Sequence, residues 1–280
     1  MHKIDVILTT YNWPRALELS LLGYTRQSYR EFGVVIADDG SGEETRRWID
    51  GFRAQAPFPI THVWQEDRGF RKARILNAAI RTSRAEQLIF SDGDAIPHRN
   101  LVLRHAEAFS PEGFVVGGYI RLSPEYSQSL DEDEILSGRF EGQMTGRRRR
   151  QLLWIHIKNL FYIAIRRRRR PRIMGLNFSV PRHVLLRLNG YDENYEGWGQ
   201  EDSDLRNRLV LERFRPRCLW HRAFVYHIHH PPNPTKWDKR NLGYYRRRKV
   251  SARCRNGLLK EGETARDLES LPDSIRVIRS

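Results

Sequence analysis

Short apolar runs alternate with amphipathic stretches through the first 122 residues. Ile4 to Thr9, Phe32 to Ala37, Ile60 to Gln65, Glu86 to Phe90 and Phe114 to Leu122 are apolar and bounded by turn residues, so each is predicted to be a strand. The intervening segments read as helices. Pro14 suits the first turn of one that runs to about Gln27. Glu43 to Phe52, Arg71 to Thr82 and Arg99 to Phe109 are three more, the second with Ile75, Leu76, Ala79 and Ile80 on its apolar side. This alternation predicts an α/β fold, a mostly parallel central sheet with helices on both faces. The pattern breaks from Ser123 to Arg172 and resumes at Met174 to Val180. A helix is expected over Pro181 to Leu188, and another starts at the acidic cluster Glu201 to Asp204, where carboxylates suit the positive end of the dipole. Phe224 to Ile228 is a short strand. These breaks divide the chain at residues 1–122, 123–172, 173–232 and 233–280, and a poorly ordered tail is expected beyond about Glu261.

Three of the strands end in polar tips: Thr9 to Asn12, Asp38 to Ser41, and Asp92 to Asp94. Neighbouring parallel strands would gather these tips at one rim, where open α/β sheets bind ligands. Neither GxGxxG nor GxxxxGK[ST] occurs, so phosphate at this rim would be held by a metal and by side chains. In Asp92-Gly93-Asp94 two carboxylates follow a buried strand one residue apart, an oxygen donor pair suited to Mg²⁺ or Mn²⁺. The bland alternative is a surface turn, since Asp-Gly is a common turn pair.

Composition narrows the class. Hydrophobic content of 39% with 7 Trp, 11 Tyr and 12 Phe is that of a globular chain. Lys and Arg outnumber Asp and Glu 49 to 34, a formal charge of +15, and the excess is concentrated at Arg147 to Arg150, Arg166 to Arg170 and Arg246 to Arg248. Such runs seek polyanions: nucleic acid, an anionic bilayer or a phosphorylated glycan or lipid. Cys218 and Cys254 form no CxxC pair, which excludes the common zinc and redox motifs and fits a reducing compartment. The first residues carry no apolar signal-peptide core, and no run reaches the ~20 apolar residues of a spanning helix. The expected location is cytoplasmic and peripheral at the inner face of the cell membrane.

Leu152 to Ile165 lies between two of the arginine runs. At helical spacing Leu153, Ile157, Leu160, Phe161 and Ala164 share a face, while His156, Lys158, Asn159 and Tyr162 interrupt the rest. Fourteen residues are too short to span a bilayer. The segment is expected to lie in a membrane interface, against the alternative of a core helix with a solvated basic end.

Taken in order, Thr9-Thr10-Tyr11-Asn12, Asp38-Asp39-Gly40-Ser41 and Asp92-Gly93-Asp94 resemble the pattern of glycosyltransferase family 2. The later stretch from Asn177 to Asp204, with Gly197-Trp198-Gly199-Gln200-Glu201-Asp202, is similar to the galactosyltransferase-like module of bacterial chondroitin polymerases. Together these cover roughly residues 3 to 232. The resemblance implies a single GT-A-type domain with a Rossmann-like nucleotide-sugar half at 1–122, a basic insertion, an acceptor-binding and catalytic half at 173–232, and a basic extension. It implies that Thr9 and Tyr11 line a base pocket, and that Asp39, or alternatively Asp38, accepts the uracil N3–H. Arg71 would approach the base or diphosphate. Asp92 and Asp94 would hold ribose and metal, with His227 as a further metal ligand and His229 as its rival. Asn177, Trp198 and Gly199 fall on the acceptor side, and Asp202 is favoured over Glu201 as the base.

The chemistry is coherent on its own terms. A nucleotide diphosphate leaves more readily when a divalent ion neutralises its charge. The acceptor hydroxyl needs a base, which Asp202 or Glu201 would supply. One base without a second nucleophile fits a single displacement with inversion. Trp198 offers a face for a sugar ring, and its two flanking glycines suit a moving loop. The expectation is therefore a metal-dependent transferase using a UDP-sugar and a cell-surface glycan or glycolipid acceptor, of lipopolysaccharide or capsule type. Two other classes compete. A nucleic-acid-binding protein would explain +15, yet no helix-turn-helix, RNA-recognition or zinc-finger signature is present, and nucleic acid is not an expected partner. A glycoside hydrolase would use two carboxylates but leaves the other two acidic motifs unexplained.

Overall fold

The computed structural model describes residues 2–167, 169–232, 238–272 and 274–279. The N-terminal alternation resolves into β1 (Ile4–Thr10), α1 (Pro14–Thr25), β2 (Phe32–Asp38), α2 (Glu43–Arg53), β3 (Ile60–Gln65), α3 (Lys72–Thr82) and β4 (Gln87–Asp92). Then come β5 (Ala95–Pro97), α4 (Leu101–Glu107), β6 (Gly113–Val116) and β7 (Gly118–Arg121). The basic insertion is helical, with α5 (Pro124–Ser129), α6 (Glu132–Ser137) and α7 (Gly146–Ala164). The rest contains β8 (Phe178–Pro181), α8 (Arg182–Leu188), α9 (Glu201–Leu211), β9 (Arg215–Cys218), β10 (Phe224–His227), α10 (Leu242–Tyr245) and β11 (Ile275–Arg279).

The main sheet runs β11-β3-β2-β1-β4-β8-β6-β9, with β1, β2, β3 and β4 mutually parallel. β8 enters antiparallel between β4 and β6, so the C-terminal half completes the sheet begun by the N-terminal half. Burial on both faces explains the continuous apolar runs. Ile7, Val35, Leu88 and Phe90 pack on one face with Ile75, Leu76, Ala79 and Ile80 of α3. Val6, Leu8, Val34, Ile36 and Ile89 pack on the other with Leu17 and Leu21 of α1 and Ile49 of α2. Each buried Val, Leu, Ile or Phe among them contributes about 1.5–3 kcal/mol of burial. The register sets Thr10 opposite Asp38 and Thr9 opposite Asp92, which brings the polar tips of three strands to one rim. Strand order reverses there, between β1 and β4.

Two sequence expectations are corrected. Phe114 to Leu122 is not one strand: β6 joins the main sheet and β7 a second sheet of order β5-β10-β7. The chain crosses between sheets at Gly117, where a Cβ would stand 2.2 Å from the Asn177 amide nitrogen. The tail beyond Glu261 is not uniformly loose either. β11 pairs antiparallel with β3, with Val277 opposite Val63, and closes an edge of the main sheet.

α7 differs from an ordinary amphipathic helix. Its inner side buries only Leu152 and Asn159, while Leu153, Trp154, Ile157, Leu160 and Phe161 are exposed. The apolar face anticipated from the sequence therefore points away from the core, which removes the core-helix alternative. No helix among the described residues is long and apolar enough to cross a membrane. Arg168, within the second arginine run, lies outside the described residues.

Candidate active site

The strand tips form the floor of an open cleft of about 1160 Å³. Thr9 donates its hydroxyl to Asp92 at 2.7 Å, and the Lys72 ammonium reaches the same carboxylate oxygen at 2.6 Å. Burial raises the Asp92 carboxyl, but Lys72 and the Thr9 hydrogen bond outweigh it and hold the group below the usual range. Burial alone would lower Lys72, yet the charges of Asp92, Asp202 and Glu201 raise it above the usual lysine value. On the β2 side, Asp39 accepts from the Arg71 backbone N–H at 2.8 Å and from the Gln65 amide. Burial pushes its carboxyl up to about 6, against those hydrogen bonds. Tyr11 is exposed over this corner and donates its hydroxyl to Asp67 at 2.8 Å.

Asp94 sits on the far side of the turn, where Ala95 of β5 pairs with His227 of β10. One Asp94 carboxylate oxygen lies 3.7 Å from Nε2 of His227 and 3.2 Å from Nε2 of His230. The three residues each present one ligand atom, all within 4.8 Å of one another. The other Asp94 oxygen is buried without a hydrogen-bond partner. Burial raises the Asp94 carboxyl, partly offset by His227. A convergent carboxylate and two imidazoles, with an orphaned oxygen among them, fit a divalent cation.

The third group stands at the start of α9. Gly197 and Gly199 both have left-handed backbones, with φ of 74° and 96°, and Gln200 follows at 79°. This turn exposes Trp198 beside the cleft and delivers Glu201 and Asp202 into it. Tyr191 donates to one Asp202 oxygen at 3.3 Å. The other Asp202 oxygen and the Lys72 ammonium crowd Gly175, where a Cβ would meet them at 2.7 and 2.9 Å. Burial raises the Asp202 carboxyl, against Lys72. Burial and then the Asp202 charge push Glu201 up to about 7. One Glu201 oxygen has no partner. Asp204, in the same acidic cluster, is instead tied to the buried Arg208 at 2.7 Å and to Tyr195 at 3.0 Å.

Thr9, Tyr11, Asp39, Asp92, Asp94, Trp198, Gly199, Glu201, Asp202 and His227 thus line one cleft. Other expectations are corrected. Asp38 is fully buried, accepting from the Ser41 backbone N–H at 2.8 Å and facing His62 at 3.0 Å, so it holds the turn and leaves the cleft to Asp39. Asn177 is 1% exposed, and its amide donates to the Gly118 and Ala223 carbonyls while its oxygen faces His105. It fastens the crossing between sheets and reaches no acceptor. The Arg71 guanidinium turns to the Glu66 carbonyl, off the cleft lining, and its backbone N–H serves Asp39. Asp92 is engaged by Lys72 and Thr9 and lies outside the convergent ligand group. His229 lines the cleft, but His230 completes that group. Sequence reasoning missed Lys72 and His230. Lys72 carried a signal: it opens α3, where a cation opposes the helix dipole.

The cleft lies at the switch point of the sheet, where open α/β folds bind ligands, and sequence comparison identifies the class. Residues 5–170 match the sequence model described as glycosyl transferase family 2, and residues 160–231 match that of the N-terminal domain of galactosyltransferase. The chain belongs to glycosyl transferase family 2. It is 33% identical over 276 residues to the uncharacterized glycosyltransferase YfnE of Bacillus subtilis (strain 168), covering 86% of this chain and 69% of that one. Validoxylamine A glucosyltransferase of Streptomyces hygroscopicus subsp. jinggangensis is 29% identical, over 74% of this chain and 51% of its own length. Chondroitin synthase of Escherichia coli is 24% identical, over 84% of this chain and 36% of its own. The chain thus spans about half or less of the latter two relatives. Among solved structures, mannosyltransferase PcManGT from Pyrobaculum calidifontis, in complex with GDP-Man and Mn²⁺, superposes with a TM-score of 0.58 at 22% identity, covering 85% of this chain and 60% of that chain. S. aureus TarS 1–349, in complex with UDP-GlcNAc, gives 0.54 at 16%, covering 82% and 60%. These likenesses show the fold. The family removes the hydrolase and nucleic-acid-binding classes as the protein's main activity.

Proposed function

We propose that this protein transfers a sugar from a UDP-sugar to a hydroxyl of a cell-surface glycan or glycolipid, in one inverting and metal-assisted displacement. The observation that carries this reading is the meeting, in a single cleft, of Asp39, the Asp94–His227–His230 group and the Glu201–Asp202 pair. Asp39 and Tyr11 would receive the nucleobase, since a buried carboxylate at a strand tip is suited to accept an imide N–H. Asp94, His227 and His230 would hold the cation, whose chemistry is to neutralise the diphosphate as it leaves. TarS was solved with UDP-GlcNAc and PcManGT with GDP-Man and Mn²⁺, which supports a nucleotide-sugar donor and a manganese-type site here.

Asp202 is assigned as the base. Its carboxylate takes the acceptor hydroxyl proton as that oxygen attacks the anomeric carbon. The bond from that carbon to the diphosphate breaks on the opposite side, and UDP leaves with the electron pair. Trp198 would stack on the acceptor ring, and its turn excludes water when it closes. Glu201, raised to about 7, would orient the acceptor through a hydrogen bond while sharing the proton balance of the acidic cluster. Lys72 keeps Asp92 ionised and offsets the charge of both acids.

The deciding experiment is a screen of UDP- and GDP-sugars for thermal stabilisation and hydrolysis, with and without Mn²⁺. A UDP-sugar should stabilise the protein only when Mn²⁺ is present. Equal response to GDP-sugars, or none to either, would overturn the donor assignment.

A further inference from the structure

Half of the exposed large apolar side chains among the described residues lie on one short segment: Leu153, Trp154, Ile157, Leu160, Phe161 and Ile165. Their spacing sets them along one face of α7 and its C-terminal cap, over about 18 Å at the rise of an α-helix. Trp154, Phe161 and Ile157 are the most exposed, at 61%, 59% and 56%. Isolated apolar residues on a surface need no explanation, but a contiguous stripe marks a contact surface.

The charge around the stripe is of one sign. From residue 142 to residue 191 the sequence has thirteen Lys and Arg and no Asp or Glu. Arg147 to Arg150 crowd the N-terminal end of α7, where cations oppose the helix dipole, and Arg166 and Arg167 follow its C-terminal end. None of these arginines makes an ion pair within the described residues. Arg148 donates to the Gln143 and Arg121 carbonyls and Arg167 lies over the Tyr162 ring, yet no carboxylate among the described residues neutralises either cluster, and the one at the N-terminal end opposes the dipole. An external anion would supply that missing charge.

A second copy of the chain fits poorly as the occupant. Parallel or antiparallel packing of two α7 helices would set one arginine cluster against another. A bilayer with anionic headgroups supplies what both parts of the surface lack: an apolar layer for the stripe and negative charge along its rim. The chain leaving α7 continues into the cleft wall through Arg167, Arg169, Arg170 and Arg172. The docking helix is thereby connected directly to the site of transfer.

We propose that α7 is a membrane-docking helix, which lies in the interface of an anionic bilayer by its Leu153–Trp154–Ile157–Leu160–Phe161 face and presents the cleft to a lipid-borne acceptor. The acceptor clause rests on the transferase reading above; the docking does not. A single shallow stripe of this kind docks reversibly; no helix among the described residues is long and apolar enough to cross a membrane.

The test is sedimentation of the full chain with vesicles of phosphatidylglycerol and phosphatidylcholine in equal parts, and with vesicles of phosphatidylcholine alone. The wild type should pellet with the first and not the second, and salt should release it. Trp154→Ser, Ile157→Ser and Phe161→Ser together should weaken binding by about tenfold or more. Because all three side chains already face solvent, the triple variant should keep its melting temperature and its affinity for UDP. Trp154→Phe should remove the blue shift in fluorescence that vesicles induce in the wild type. Equal pelleting with neutral vesicles, no pelleting with anionic ones, or a wild-type dimer that the triple variant breaks would each overturn the proposal. Failure to bind UDP with vesicle binding intact would instead count against the donor reading alone.

Discussion

The ammonium of Lys72 and the carboxylate of Asp92 stand 2.6 Å apart at the point where α3 begins and β4 ends. The pair joins the nucleotide side of the cleft to its acidic side, because Lys72 also feels Asp202 and Glu201. Asp94 is the carboxylate nearest the two imidazoles, 3.7 Å from His227 at the end of β10 and 3.2 Å from His230 just beyond it.

Lys72→Met should therefore damage folding as well as activity. Removing one partner of a buried ion pair costs about 3–5 kcal/mol. Asp92 keeps 27% of its side chain exposed, so solvent screening should bring the loss to the lower end of that range or below it. Urea unfolding measures the change. A variant as stable as the wild type would mean that Asp92 is compensated by water and not by Lys72.

The Glu201–Asp202 pair separates binding from chemistry. Asp202→Asn should retain affinity for UDP and lose turnover by about 10²- to 10⁴-fold, the usual range for a general base. Glu201→Gln should act mainly on the apparent affinity for acceptor. Steady-state rates with varied donor and acceptor distinguish them. Full turnover in Asp202→Asn with a dead Glu201→Gln would move the base by one residue.

Glu201 also sets a pH dependence of stability. Its carboxyl is raised from 4.5 to about 7 in the fold, so folding takes up a proton between those values. The stability tied to the protonated group is present below the unfolded value and is lost as pH rises through about 7. Glu201→Gln should consequently raise the melting temperature above about pH 8 and change it little below about pH 4.5. Melting curves of both proteins across that range test the sign. A benefit that appears at low pH instead would contradict it.

The histidines give a sharper test of the metal ligands. His230→Ala should weaken Mn²⁺ binding by at least the roughly 10–100-fold typical of losing even an outer-shell partner. His229→Ala should leave Mn²⁺ affinity nearly unchanged, since His229 lies outside the convergent group. Manganese titration followed by electron paramagnetic resonance reads both. A reversed order of effects would restore His229 as the ligand.

Much of this fold was legible because both faces of a parallel sheet are buried, and buried strands write continuous apolar runs into the sequence. The rim followed from register, since polar residues at the ends of neighbouring strands have nowhere else to go. What sequence pattern missed was set by contacts between distant segments. Asn177 lies within the recognised C-terminal motif, yet its role depends on the space beside Gly117, sixty residues earlier in the chain. Asp38 and Asp39 are indistinguishable by composition, and only the alternation at the end of β2 turns one inward to His62 and the other to the cleft. His230 was hidden among adjacent histidines because the path of the chain after β10 is irregular. Edge pairing of β11 with β3 was hidden in a basic segment, because Arg276 and Arg279 interrupt its apolar residues, as charges do on an exposed edge strand.

The central claim is that UDP enters this cleft through a cation held by Asp94. Calorimetry of UDP binding to the wild type and to Asp94→Ala, each with and without Mn²⁺, addresses it most directly. The account predicts binding that requires Mn²⁺ in the wild type and is lost in the variant under both conditions. Equal affinity with and without Mn²⁺, or wild-type affinity in Asp94→Ala, would contradict it.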